Sequence, residues 1–85
     1  MNKFFLSIWK KRKHYSEVSG EILHSPPSSL YFHHILPKNK YPEICFCEDN
    51  IVLLTPNEHL AIENNIYKFE YINKLREQLK IKYKI

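Results

Sequence analysis

The stretch that decides the fold is residues 31–63, which read YFHHILPKNKYPEICFCEDNIVLLTPNEHLAIE. Aromatic and branched side chains crowd Leu30–Leu36, which predicts a β-strand that ends at Pro37. Prolines and mixed charges follow, and they predict a loop over 38–49. The aliphatic run Ile51–Leu54 predicts a second strand, so the segment is expected to form a hairpin.

A helix is expected directly after the second strand. Thr55 can cap its first turn, Pro56 suits the first helical position because its missing N–H is not needed there, and Glu58 completes a capping box. The pair Asn64 and Asn65 predicts its end. The order of elements is therefore strand, loop, strand and helix.

Apolar stripes at helical spacing predict one further helix on each side of this segment. The N-terminal stripe is Phe4, Phe5, Ile8 and Trp9, and the C-terminal stripe is Phe69, Ile72, Leu75 and Leu79. Within the loop, 44–47 is a candidate for a brief extended segment, and 81–85 fits either a loose strand or a fraying helix. The core is expected to include Phe32, Ile35, Val52, Leu54 and Leu60.

Length and composition exclude several classes of protein. A chain of 85 residues forms one domain with a thin core, and its longest aliphatic run is too short to cross a bilayer. The single glycine excludes a glycine-rich phosphate loop and a dinucleotide fingerprint. Cys45 and Cys47 match no zinc knuckle and are expected as small buried side chains in a reducing compartment. The net charge of +4 makes nucleic acid a plausible partner.

Four side chains at the joints of these elements carry the chemistry. His33 and His34 are neighbours on the first strand, Asn50 precedes the second strand, and His59 lies on the first turn of the helix. Because neighbouring side chains of a strand point to opposite faces, the two adjacent histidines cannot play the same part. One imidazole can face a metal ion while the other faces a water molecule, and His59 can complete the metal site.

This pattern resembles the motif of the HNH nucleases. The resemblance covers Tyr31 to about Glu63 and includes the histidine pair, the proline after it, the middle asparagine and the last histidine. It implies an α+β fold of the ββα-metal type, in which a hairpin-plus-helix core is flanked by N-terminal and C-terminal helices. Residues 1–85 would then form a single domain like that of small phage-type members, with the core motif at about 30–64 and the C-terminal helix at about 66–80.

The resemblance implies a metal-dependent endonuclease that hydrolyses DNA phosphodiester bonds. His34 matches the general base that activates water, and Asn50 matches the asparagine that orients this base and ties down the loop. His33 and His59 match the metal ligands. The family also implies products with 5′-phosphate and 3′-hydroxyl ends.

The cofactor implied is a divalent metal ion. Mg²⁺ or Mn²⁺ is expected to support activity, and imidazole ligands also suit Zn²⁺ and Ni²⁺. Glu63 shares a helix face with His59, so it is either a further ligand, directly or through water, or a surface carboxylate. Lys38 and Lys40 follow the histidine pair and are either contacts to the DNA backbone or solvated lysines.

Two other functions fit the same residues. One is a non-catalytic nucleic-acid-binding protein on the same fold, and the other is a structural zinc module that uses the histidines with Cys45 or Cys47. The expected partner is DNA, and no membrane is expected. A domain this small has little room for a sequence-reading module, so it would nick DNA loosely, recognise DNA structure or be targeted by a partner protein. The basic cluster at 10–13 follows the apolar start, whereas in a signal sequence the basic residues come first. This order predicts a cytoplasmic protein, located in the cytoplasm of the host cell if a phage encodes it.

Overall fold

Three helices and one two-stranded antiparallel hairpin make up residues 1–85 in a computed structural model. None of the helices is both long and apolar enough to span a membrane. The predicted α+β class and the two flanking helices are confirmed. The elements in chain order are helix α1 (Lys3–Lys11), strand β1 (Phe32–His34), strand β2 (Ile51–Leu53), helix α2 (Pro56–Asn64) and helix α3 (Glu70–Tyr83).

The register of the hairpin sets the direction of the two adjacent histidines. His33 lies opposite Val52, and His34 lies opposite Ile51. Residues directly opposite each other in a hairpin share a face, and successive residues alternate between faces. His33 and His34 therefore leave β1 on opposite sides, as the sequence predicts.

Two apolar clusters cover the two faces of the hairpin. The first, between the hairpin and α1, contains Ile8, Trp9, Leu23, Phe32, Ile51 and Leu53. The second, between the hairpin and the helices α2 and α3, contains Ile35, Leu36, Ile44, Val52, Leu54, Ile62, Ile72 and Leu79. Four of the five predicted core residues are therefore confirmed.

The prediction that Leu60 belongs to the core is wrong. Its side chain is 60% exposed, whereas Ile62 is fully buried. Two residues on a helix are about 200° apart around its axis, so the face that buries Ile62 turns Leu60 toward solvent.

Helix α2 begins at the predicted cap. The Thr55 hydroxyl oxygen accepts from the Glu58 N–H at 3.1 Å, and the Glu58 carboxylate accepts from the Thr55 N–H at 2.8 Å and from the Ser16 hydroxyl at 2.6 Å. Burial alone would raise the pKa of Glu58, but these hydrogen bonds outweigh it and hold that pKa below its usual value. The cap fixes the turn that carries His59.

The outer edge of β2 is covered by two side chains from the segment after α1. The Arg12 guanidinium donates to the Ile51 carbonyl at 2.6 Å and pairs with the Glu17 carboxylate at 2.8 Å. Glu17 donates its N–H to the Leu53 carbonyl at 2.9 Å, and its carboxylate accepts from the Leu53 N–H at 2.8 Å. Arg12 therefore holds the fold together and is not a free member of the basic cluster.

Strand β1 is shorter than the sequence predicts. The Ser28 hydroxyl accepts from the Leu30 N–H, which starts a 3₁₀ turn at Ser29–Tyr31 and delays the strand to Phe32. At the other end of the chain, 81–85 is not a strand, because α3 continues to Tyr83 and stops where Lys84 adopts a left-handed conformation with φ of 57°.

The segment 44–47 is not extended. A 3₁₀ turn at Pro42–Ile44 forms instead, since the N–H groups of Ile44 and Cys45 donate back to carbonyls three residues earlier. Cys45 and Cys47 are free thiols and only partly buried, whereas the sequence predicted a buried pair.

Candidate active site

His33 and His59 come together from two elements. His33 lies in the middle of β1, and His59 lies on the first turn of α2. Their ring centres are 5.3 Å apart with the planes at 77°. Two imidazoles that share one ion at about 2.1 Å hold their ring centres roughly 5 Å apart, so this spacing fits a shared cation.

Both ring nitrogens of His59 face acceptors. Nδ1 lies 2.6 Å from the Leu30 carbonyl oxygen, and Nε2 lies 3.2 Å from the Glu63 carboxylate. The carbonyl can only accept, so Nδ1 carries a proton. Nε2 donates to Glu63 when it is protonated and is the nitrogen that can bind a cation when it is not. Glu63 places a negative charge at that nitrogen, which is the position the sequence indicates for a further ligand.

Burial keeps His33 in its neutral form. Desolvation, together with repulsion from His59, His34 and Arg76, lowers the pKa of His33 from 6.5 to about 4. A neutral imidazole has the lone pair that a metal ligand needs. No fully buried side-chain nitrogen or oxygen lacks a hydrogen-bond partner, so the ring nitrogens of His33, which make no protein hydrogen bond, keep some contact with solvent.

His34 is held by the backbone of the loop. Its Nε2 lies 3.0 Å from the Cys45 carbonyl oxygen, and its ring centre lies 6.0 Å from that of Phe5. Because a carbonyl cannot donate, Nε2 carries the proton, and Nδ1 is left with a lone pair. His34 is therefore in the tautomer that can accept a proton from water at Nδ1.

Asn50 ties down the loop between the strands but does not touch His34. It is fully buried, and its side chain accepts from the Leu36 N–H at 2.8 Å and donates to the Leu36 carbonyl at 3.0 Å. No hydrogen bond joins the Asn50 side chain to His34, so the predicted role of Asn50 in orienting that ring stays a prediction. The hydrogen bond that the His34 ring makes is to the Cys45 carbonyl.

The far end of this loop is anchored to α3. The Asp49 carboxylate accepts from the Tyr83 hydroxyl at 2.8 Å and pairs with Lys82 at 2.5 Å. Burial opposes ionisation of Asp49, but the bonds from Lys82 and Tyr83 lower its pKa overall, and the bond to Asp49 raises the pKa of Tyr83. The loop that carries Cys45 is thus fixed at both ends.

The donor groups available for a metal ion are few. No group of three or more His, Cys, Asp or Glu side chains is arranged to hold one. The site offers two imidazoles, with the Glu63 carboxylate beside one of them. A catalytic ion keeps at least one coordination position open for water or substrate, whereas a structural ion is closed by about four protein ligands.

A basic cleft of about 200 Å³ opens beside the two histidines of β1. Lys40, one of the two predicted DNA contacts, lines this cleft, whereas Lys38 is exposed and does not. The sequence prediction missed the other two cations of the cleft, Arg76 and Lys80 of α3. For Arg76 the available signal was its place in the apolar stripe between Ile72 and Leu79, where an arginine is unexpected.

Comparisons with protein-family models, with curated proteins and with solved structures find no match to this chain. The role of each residue must therefore follow from its own geometry and chemistry.

Proposed function

We propose that the chain is a metal-dependent endonuclease of the HNH type, with a ββα-metal core formed by β1, β2 and α2, that hydrolyses DNA phosphodiester bonds. The observation that supports this best is the approach of the His33 and His59 ring centres to 5.3 Å. His34 is the next residue of β1 and lines the same cleft as His33. The net charge of +4 suits a polyanionic substrate.

In this proposal His34 is the general base. Its Nδ1 accepts a proton from the attacking water, and the Cys45 carbonyl, 3.0 Å from Nε2, stabilises the imidazolium that results. A positioned base of this kind accelerates a reaction by about 10²- to 10⁴-fold. Asn50 contributes indirectly, because it fixes the loop that presents the carbonyl.

His33 and His59 would hold the divalent cation. When bound, such an ion neutralises charge on the phosphate and assists the leaving O3′. The lowered pKa of His33 supports this role, since the ring stays neutral and available as a ligand near pH 7. The Leu30 carbonyl fixes His59 so that Nε2 is the nitrogen left for the ion.

The two alternatives fit the geometry less well. A structural zinc module needs about four ligands around one ion, whereas the site brings together two imidazoles with one carboxylate beside them. A non-catalytic binder gives no role to the close approach of the His33 and His59 rings. The nuclease accounts for both features.

Cleavage of supercoiled plasmid tests the proposal. We expect nicking with Mg²⁺ or Mn²⁺ that stops with a chelator and slows about 10²-fold or more in His34→Ala. His24→Ala, which removes an exposed histidine elsewhere, is the matched control and should cut normally. Binding without cleavage in every metal would instead support the non-catalytic binder.

The two histidine roles can be separated by calorimetric metal titration. His34→Ala should lose rate and keep metal affinity, because its ring is tied to Cys45 and not to His59. His59→Ala should lose metal affinity. Equal metal binding and normal cleavage in both variants would refute the assignment, and tightly held stoichiometric zinc without cleavage would favour the zinc module.

A further inference from the structure

The basic cleft next to His33 has an unusual charge distribution. No acidic residue lines it, and none of its three Lys and Arg side chains forms an ion pair with a carboxylate. Lys40 enters from the loop after β1, and Arg76 and Lys80 enter from α3. The wall of the cleft is thus cationic and holds no carboxylate, and the centre of the electron-rich Tyr67 ring lies 5.5 Å from the Arg76 guanidinium.

Arg76 is the most costly of these cations for the folded protein. Its residue is only 9% exposed and takes the place of an apolar side chain between Ile72 and Leu79. Its guanidinium donates to the Asn73 side-chain oxygen at 2.8 Å and to the Ile66 carbonyl at 2.7 Å. Both partners are neutral, and a charge taken out of water without a counter-ion is unfavourable.

The placement of Lys80 adds to this cost. Arg76 and Lys80 are four residues apart on α3, so two like charges share one helix face and repel each other. Neither charge contributes an ion pair to the fold. An anion in the cleft would neutralise both.

We propose that Arg76, together with Lys40 and Lys80, binds a phosphate group of the nucleic-acid backbone in this cleft, directly beside the His33–His34 pair. The identity of the phosphate as part of a nucleic acid rests on the proposed function. Two of the five guanidinium N–H groups are used within the protein, which leaves donors for phosphate oxygens. His33 and Arg76 line the same cleft, so a phosphate held there borders the proposed metal ligand.

DNA binding without metal tests this inference in the 85-residue chain. A short fluorescein-labelled duplex is titrated in EDTA and followed by fluorescence anisotropy, so that no cleavage can occur. Arg76→Met should bind about tenfold more weakly or worse, and the slope of log affinity against log salt should fall by about one. Arg76→Lys should restore that slope because it restores the charge.

Lys74→Gln is the matched control. Lys74 lies on the same helix, is exposed and does not line the cleft, so its loss should weaken binding less than twofold. Lys80→Gln should weaken binding severalfold, and it decides the question if Arg76→Met does not fold. The inference would be overturned if Lys80→Gln bound DNA no more weakly than Lys74→Gln does, and if Arg76→Met, where it folds, did the same.

The same data separate this inference from the nuclease proposal. If Arg76→Met and Lys80→Gln lose DNA binding but no metal supports cleavage by the unaltered chain, the phosphate site stands and the nuclease fails. If the unaltered chain cleaves plasmid and Arg76→Met binds DNA normally, the nuclease stands and the phosphate site fails.

Discussion

At the scale of the residue, burial makes His33 sensitive to pH. Its pKa is lowered from 6.5 to about 4, first by desolvation and then by repulsion from neighbouring positive charges. An unfolded chain takes up a proton at this histidine near pH 6.5, whereas the folded chain resists it down to about pH 4. The contribution of His33 to stability is therefore present above pH 6.5 and is lost as the pH falls toward 4.

Urea unfolding in the presence of EDTA measures this effect. Between pH 6.5 and 4 the free energy of unfolding should fall by up to about 3 kcal/mol on account of His33. His33→Gln should remove most of that decrease, and His24→Gln, which changes an exposed histidine, should leave it in place. An identical pH dependence in His33→Gln and the unaltered chain would contradict the lowered pKa.

Single residues also show where sequence reasoning stops. The histidine pair, Asn50 and His59 could be singled out, because their types and spacing are unusual in themselves. Arg76 was missed although it stands in the apolar stripe of α3, since an arginine in a helix is normally solvated and only the packed structure reveals that this one is 9% exposed. Its hydrogen-bond partners are neutral, the Asn73 side chain three residues away and the Ile66 carbonyl ten residues away.

At the scale of the element, local chemistry was predictable and boundaries were not. The start of α2 was predicted because a capping box uses only residues that are three apart. The start of β1 was missed because one hydrogen bond from the Leu30 N–H to Ser28 favours a 3₁₀ turn over an extended chain. The orientation of His34 by Cys45 joins positions eleven apart, which no local pattern indicates.

The loop between the strands depends on Asn50. Asn50→Ala would leave the buried N–H and carbonyl of Leu36 without their partners, which should lower the free energy of unfolding by about 2–4 kcal/mol. Cleavage should fall as well, because the Cys45 carbonyl would no longer be held under His34. Thermal denaturation by circular dichroism and the plasmid assay measure the two effects.

Asn39 provides the control for this loop. It is exposed in the same segment, so Asn39→Ala should leave the melting temperature and the cleavage rate nearly unchanged. An Asn50→Ala variant that melts like Asn39→Ala would show that the loop is held by other contacts.

At the scale of the whole molecule, the hairpin lies between two apolar clusters, one packed against α1 and the other against α2 and α3. Val52 and Leu54 belong to the cluster under α2 and α3, while Ile51 and Leu53 belong to the cluster under α1. Because each cluster needs the hairpin and the chain has only 85 residues, neither is expected to persist alone.

The single tryptophan reports on this coupling. Ile72→Ala removes buried volume from the α3 side and should cost about 2–5 kcal/mol. Trp9 lies in the other cluster, yet its fluorescence should report the same shifted transition as circular dichroism. Leu60→Ala, at an exposed site, should shift neither signal appreciably, and two separate transitions in Ile72→Ala would contradict the coupling.

The hydrogen bonds of Arg12 and Glu17 to the outer edge of β2 affect how the protein resists aggregation at high concentration. A bare strand edge offers unpaired N–H and carbonyl groups on which another molecule can build, which is how strand-mediated aggregation starts. Here the outward-facing backbone groups of Leu53 and the outward carbonyl of Ile51 are already occupied from within the chain. The outer edge of β2 is therefore protected from pairing with a strand of another molecule, although the sheet has only two strands.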